Sequence, residues 1–427
     1  MSPLGEGRPS PQDMGIKMPD VTEKTVRSSE ALDDRGYDRF LADGSIQAYE
    51  YFEDDSGARA SEKQRFESGE IENPTLLYPK LDPANLERRD ENLRALKTEI
   101  LSQEGNEAVR QAYRWRINEK LAEIGLMRAT ADGNMRKFER YTKFVYGEPS
   151  KEIFAYTVDQ LRTYAEKHAA SSNPDIAEYA RTFLQMLPEN LPKAQLNPLP
   201  SEPEVATAKE SVEQEFGDLI ALNGEGETFS ADDLKKEFEL ALQKVDAQGW
   251  NVEMVSRGTV SGDQESRSVK VSTGAKTRSK FERVMVHEIG THVKRRINGE
   301  RSKLRLLGLG LDRYEGAEEG VATMREQALD GKVSDFSGLL GHLSNSLARG
   351  VDGTPRAFRD VYDWMSHYFT LNAMVLGRTK EAAIPEGRNL AWGNAVRTLR
   401  GTDCKTPGVA FTKDMVYREG NIAAWDL

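Results

Sequence analysis

The chain of 427 residues is 38% hydrophobic and 30% charged, which allows two or three packed units and reads as a soluble protein with polar ends. Its net charge of −11 excludes nucleic acid as the main partner, because phosphate binding needs a net basic footprint. One cysteine, Cys404, excludes an intrachain disulfide, no run approaches the roughly 20 apolar residues of a membrane helix, and the opening MSPLGEGRPSPQDMGIKMPD has no signal-type apolar core. The expectation is a cytoplasmic protein with no membrane partner.

Residues 1–70 are polar and rich in Gly, Ser and Asp, and are expected to form a disordered tail. Order should begin at NPTLLYPKL (Asn73 to Leu81) within an N-terminal helical region, 71–187. There Leu86, Leu93, Leu96 and Ile100 share one helical face, as do Val109, Tyr113, Ile117, Leu121 and Ile124. Phe138 to Tyr146 stops at Gly147 to Pro149, and a further helix is expected through Val158 to Leu187. Residues 188–204 are punctuated by proline and read as a linker.

Residues 205–427 read as one further region, the one that holds the motif from which the chemistry is read below. Val205 to Phe216 is helical, and Ser230 with Asp233 opens another helix striped by Leu234, Phe238, Ala241, Leu242 and Val245, with Gly249 as its stop. Trp250, Val252 and Met254 alternate, as do Val269 and Val271, which predicts short strands separated by the polar turn SGDQES. Helix resumes from Arg278 to Ile297. The fold class expected is α+β: mainly helical, with a small sheet beside that last helix, preceded by the helical region.

The chain holds five histidines, and two of them, His287 and His292, fall in HEIGTH. This is HExxxH, not HExxH. A spacing of five puts the rings about 140° apart on an ideal helix, so they can share a metal only if one residue is looped out, as a π-bulge does. Gly290 inside the motif makes that distortion cheaper, while Phe281, Val284, Met285, Ile289 and Val293 would pack the helix into the core. The bland alternative is a pair of core histidines bonded to backbone carbonyls. The basic run Lys280 to Arg305 is either a solvated helix face or a positive field around an anionic substrate end. A catalytic zinc needs a further ligand and an open position. Glu318 and Glu319 could supply one, although acids at a helix start equally relieve the dipole.

HEIGTH, then Asn298-Gly299, a Gly/Leu-rich stretch and EEGVA (Glu318 to Ala322) together resemble the tyrosine carboxypeptidase family of the MATCAP type, whose bacterial relatives carry a QEGLA motif. NPTLLYPKL, YTKFVYGEPS, VRTLRGTDCKTPG and FTKDMVYREG look like family blocks, so the likeness runs from Asn73 to Gly420. It implies Zn2+ held by His287, His292 and Glu319, with Glu318 at the variable position before the ligand and Ala317 where the family has threonine. Family members usually continue with helical sequence beyond the point where this chain reads NIAAWDL.

The mechanism expected is metal-activated water, with Glu288 as general base and then proton donor to the leaving amine. A carboxypeptidase must also hold a free C-terminal carboxylate, and Arg397, Arg400 and Lys413, with Tyr417 as donor or packing residue, are the candidates. For each, a structural salt bridge is the alternative. His342 and His367 are weaker ligand candidates, His367 reading as a satisfied core histidine and His168 as a surface one. The function implied is a zinc metallocarboxypeptidase acting on a peptide or protein C-terminus, with tyrosine a candidate for the residue released. Characterised relatives act on tubulin, which is not carried over to so acidic a chain. Alternatives are an aminopeptidase or dipeptidyl peptidase, and a non-catalytic metal-binding regulatory or scaffold protein. Glu288, a base without use in a scaffold, argues against the last.

Overall fold

Polar residues placed just ahead of apolar stripes start most helices of the N-terminal half. Asp82, Asn106, Asn134, Ser150 and Asn173 each accept a hydrogen bond from a backbone N–H of the following turn. The computed structural model describes residues 36–53, 58–189, 191, 194, 196, 199–220, 228–256, 260–263, 266–274 and 276–427.

The chain opens with α1 (Gly36–Gly44), α2 (Ala48–Glu53) and α3 (Arg59–Glu67). Much of the expected tail is therefore ordered, and residues 1–35 lie outside the described residues. The burial is done by a few large aromatics: Tyr37, Phe40, Phe52 and Phe66 are fully or almost fully buried. Such sparse anchors leave composition looking polar while still removing much apolar surface from water. Next come α4 (Pro83–Gln103), α5 (Glu107–Ala131), α6 (Met135–Tyr146), α7 (Lys151–Ala169) and α8 (Pro174–Met186). The single helix expected through Val158 to Leu187 is broken, because Asn173 caps a new helix with Pro174 in its first turn.

The middle of the chain holds α9 (Glu202–Ile220), β1 (Thr228–Phe229), α10 (Ala231–Lys244), β2 (Asn251–Val255), β3 (Ser261–Asp263), β4 (Ser268–Ser272) and β5 (Lys276–Thr277). Ser230 caps α10 as expected, its Oγ accepting from Asp233 N. β2 and β4 pair in parallel and β3 runs antiparallel to β4, giving the order β2-β4-β3. The expected polar turn thus begins as a strand, and that strand lies on the sheet edge. β1 and β5 form a separate antiparallel pair.

α11 (Arg278–His287) runs through a π-helical turn (Glu288–Val293) into α12 (Lys294–Arg301). After a 3₁₀ turn at Arg305–Leu309 come α13 (Tyr314–Leu329), α14 (Leu339–Arg349), α15 (Phe358–Val375) and α16 (Lys380–Leu399). A 3₁₀ turn at Thr412–Met415 leads into α17 (Val416–Trp425). The fold is mainly helical α+β, with the small sheet against the HExxxH helix. Among the described residues no helix is long and apolar enough to cross a membrane.

One apolar cluster joins α7 and α8 to α14, α15 and α16, through Phe154, Phe183, Leu343, Trp364 and Trp392. A second gathers α1, α2, α4, α5 and α6 around Phe411 and Met415. A third packs α9, α10 and the sheet on Phe281, Met285, Ile289 and Val293. The last helices therefore return to cores begun before the proline-rich stretch. α13 and α17 meet backbone to backbone, since a Cβ on Gly320 would overlap the carbonyl of Gly420. α17 therefore fills the space beside Gly320.

Candidate metal and substrate site

The looped-out residue that HExxxH requires is present as the π-helical turn from Glu288 to Val293. It brings the His287 and His292 rings to a centroid separation of 5.0 Å. Gly290 fits beneath Phe216 of α9, where an added Cβ would sit 2.9 Å from the ring. Its carbonyl accepts from Arg325 Nη1 at 2.8 Å, and Arg325 Nη2 is fixed in turn by Glu215 at 2.6 Å. The irregular backbone is thus satisfied from α9 and α13.

α13 supplies the third donor. Glu319 Oε2 lies 3.4 Å from His287 Nε2 and 3.8 Å from His292 Nε2, and one donor atom from each residue falls within 4.8 Å of the others. The outer ring nitrogens are taken up elsewhere: His287 Nδ1 meets Glu326 Oε1, and His292 Nδ1 lies 3.2 Å from Glu318 Oε1. Donating Nδ1–H to a carboxylate leaves the Nε2 lone pair facing inward. Glu319 Oε2 is buried with no hydrogen-bond partner among the described residues, a costly condition for a carboxylate oxygen. Two imidazoles and a carboxylate suit zinc, and also manganese, cobalt or iron. The donor set fits a divalent cation.

The electrostatics agree. Burial works against charge on His287, yet Glu319 and Glu326 outweigh it and push the imidazole up to about 11. Burial likewise opposes charge on Glu319, but His287, His292 and Lys413 bring it down to about 2. The cause is a surplus of carboxylates, Glu288, Glu318, Glu319 and Glu326, around the imidazoles, and a dication at the centre would neutralise it. Glu288 is buried, and burial raises its pKa. Its Oε2 accepts from Gly262 N on edge strand β3 at 2.9 Å.

A cleft of about 880 Å³ opens on this cluster. His287, Glu288, His292 and Glu319 line it together with Arg397, Arg400, Lys413 and Tyr417, so the structure brings all the expected site residues to one place. Arg397 is clamped by Asp414, Nε to Oδ2 at 2.8 Å and Nη2 to Oδ1 at 2.9 Å, and its side chain is 52% exposed. Arg400 is buried between Glu53 at 2.9 Å and Asp414 at 3.3 Å. Lys413 Nζ lies over Tyr49 at 4.5 Å and Tyr417 at 5.5 Å, and 3.5 Å from Glu315. His342 lies outside the cleft, fully buried and 3.3 Å from Glu419. His367 is a satisfied core histidine, with Nε2 on the Tyr179 carbonyl at 2.8 Å. The basic run is not a free positive field, because Arg283, Lys294, Arg295, Arg296 and Arg301 pair with Asp330, Glu215, Glu318, Glu300 and Asp246.

Sequence reasoning missed Glu326, Gly262, Tyr49 and Glu53. Glu326 had a signal: it is seven residues from Glu319, the same face of a helix two turns on. Tyr49 and Glu53 had none, since they come from the segment expected to be a tail.

A family model described as microtubule-associated tyrosine carboxypeptidase matches residues 63–333, well over half of the chain. No curated protein and no solved structure matches it.

Proposed function

The chain belongs to the microtubule-associated tyrosine carboxypeptidase family, and we propose that it is a zinc-dependent metallocarboxypeptidase removing a C-terminal tyrosine from a peptide or protein. The observation that carries this reading is the meeting, in one cleft, of the His287–His292–Glu319 cluster, the buried base Glu288 and the cations Arg397 and Lys413.

His287, His292 and Glu319 would hold the zinc. Bound there, zinc supplies Lewis acidity and lowers the pKa of water towards about 7. Glu288, anchored by Gly262 N, takes the proton from the attacking water and passes it to the leaving amine. β3 is an edge strand, so main-chain groups on its unpaired side, other than the Gly262 N held by Glu288, are available to an extended peptide. Arg397 has Nε and Nη2 held by Asp414, which leaves Nη1 for the substrate's terminal carboxylate. Lys413, boxed by Tyr49 and Tyr417, adds positive charge on the same side. The single cysteine is free and buried, in keeping with action in the cytoplasm.

The test is zinc content by mass spectrometry with hydrolysis of peptides ending in tyrosine, as free acid and as amide. Bound zinc and release of tyrosine from the free acid alone is the expected result. A folded protein that binds no zinc when it is offered would sink the reading and leave a non-catalytic role ahead.

A further inference from the structure

Among the described residues, the phenols that line the cleft are Tyr49, Tyr314 and Tyr417. Tyr49 is engaged, its hydroxyl bonding Glu50 at 3.4 Å. The hydroxyls of Tyr314 and Tyr417 bond no described residue, and neither is among the polar atoms sealed from solvent. Their surroundings tell them apart. Tyr314 is clamped between guanidinium groups, with the Arg116 and Arg295 carbons each 4.8 Å from its ring centroid. Arg295 in turn holds Glu318, the carboxylate on the outer nitrogen of His292. Tyr314 therefore belongs to the outer face of the cluster. Tyr417 stands instead in the fields of Lys413, Glu319, Asp414 and Arg397, between the inner donor set and the cations.

Packing fixes Tyr417 there. On α17, Gly420 presses on α13 so closely that a Cβ would lie 1.9 Å from the Gly316 carbonyl oxygen and 3.1 Å from Gly320 N. Three residues earlier on the same helix, Tyr417 is a surface neighbour of Gly420 and borders the same seam. Across that seam, Gly316 and Gly320 bracket Glu319. Behind Tyr417 lies Gly338, where a Cβ would come 2.7 Å from Tyr417 Cβ. The Lys413 ammonium is 5.5 Å from the ring centroid. Lys413 draws the phenol pKa down, and burial with Glu319 and Asp414 more than offsets it, so the hydroxyl keeps its proton at neutral pH. The result is a protonated donor, free of internal partners, on the wall beside Glu319.

We propose that Tyr417 is a catalytic residue, its hydroxyl donating a hydrogen bond to the oxygen that gains negative charge when water adds to the scissile carbonyl. The inference rests on the carboxypeptidase reading. In the addition, the water oxygen bonds the carbonyl carbon, the carbonyl π pair moves onto its oxygen, and the water proton goes to Glu288. Tyr417 keeps its own proton throughout. On collapse the pair re-forms the carbonyl, the C–N bond breaks, and Glu288 returns the proton to the amine. A fixed donor aimed at charge that develops only in this step lowers the barrier without tightening substrate binding.

The experiment compares wild type, Tyr417→Phe and Tyr314→Phe on a peptide ending in free tyrosine, and measures inhibition by a phosphinic peptide that copies the tetrahedral state. Tyr417→Phe should lose about 10²–10³-fold in kcat with KM little changed. Affinity for the phosphinic peptide should fall in step, while bound zinc, by mass spectrometry, and melting temperature stay as in wild type. Tyr314→Phe should lower kcat far less. Unaltered kcat in Tyr417→Phe overturns the proposal, as does a rise in KM alone, which would place the hydroxyl in substrate binding. A larger loss in Tyr314→Phe overturns it by giving the role to the other phenol. Because the hydroxyl bonds nothing within the chain, a Tyr417→Phe protein that fails to fold overturns it too, by giving the hydroxyl to the fold. Wild type that releases no tyrosine fails the carboxypeptidase reading before any variant is compared, whereas an active wild type with an insensitive Tyr417→Phe fails this inference alone.

Discussion

The acidic and cationic clusters of the cleft are built on opposite plans. Around His287 and His292 the outer nitrogens are held by Glu326 and Glu318, while the inner acceptors converge on one point where Glu319 Oε2 lacks a donor. Around Asp414 the arrangement is divergent: one carboxylate ties down Arg397 and Arg400, and the remaining donors spread along the lining. A convergent set of acceptors selects a small cation, whereas a spread of donors suits an extended anionic chain end. On the function proposed above, metal chemistry falls to the first cluster and substrate positioning to the second.

The largest effect expected is from Glu319→Ala, which removes the convergent oxygen. Bound zinc should be lost on mass spectrometry, and turnover with it. Retained zinc would show that the ligand set is misassigned. Glu288→Gln keeps the volume and the ligands but cannot take up the proton. It should keep its zinc and lose about 10²–10⁴-fold in kcat, and unchanged turnover would remove Glu288 from the role of base. Glu326→Gln acts only through the orientation and basicity of His287. Competition with a chelator should show zinc affinity reduced about 10–100-fold, with the metal-free melting temperature little changed.

On the cationic side the expected effect is smaller, because Asp414 keeps Arg400 as a partner when Arg397 is lost. Arg397→Gln should raise KM for a free-acid peptide about tenfold and narrow the preference over the amide. A change in kcat alone would place Arg397 in the chemistry instead of in substrate binding.

How far the sequence could be read follows the same division. HEIGTH carries two proposed ligands and the proposed base within one helical turn or so, and two histidines about 140° apart can share a metal only with a looped-out residue, the π-helical turn seen at Glu288–Val293. Glu319 was distinguishable from Glu318 only through family resemblance, since either acid could have relieved a helix dipole. The strand at Ser261–Asp263 was hidden because its residues, Ser, Gly and Asp, are poor strand formers. It exists through pairing with β4. Tyr49 and Glu53 reach the cleft only after α1 and α2 dock on α4 and α5 through Phe40 and Phe52, a long-range contact with no local signature. The helix periodicities, by contrast, are local, and α4, α5 and α6 appear where their apolar stripes required.

The smallest effect concerns the frame that makes the acidic cluster converge. Gly290→Ala would favour ordinary helix by about 0.5–1 kcal/mol, but the new Cβ would lie 2.9 Å from Phe216 Cε2 and 3.4 Å from Arg325 Nη2. Phe216, on α9, is fully buried in the core it shares with α10 and α11, and overpacking of that kind costs about 1–3 kcal/mol. The overlap should win, lowering stability by about 1 kcal/mol on balance, read as a slightly lower denaturation midpoint. Displacing Arg325 also loosens its bond to the Gly290 carbonyl, so zinc affinity should fall a few-fold while Arg397-dependent KM stays unchanged. A stabilised variant with unaltered zinc affinity would mean that the π-helical turn tolerates a side chain, and that convergence is imposed by Glu326 and Glu318 alone.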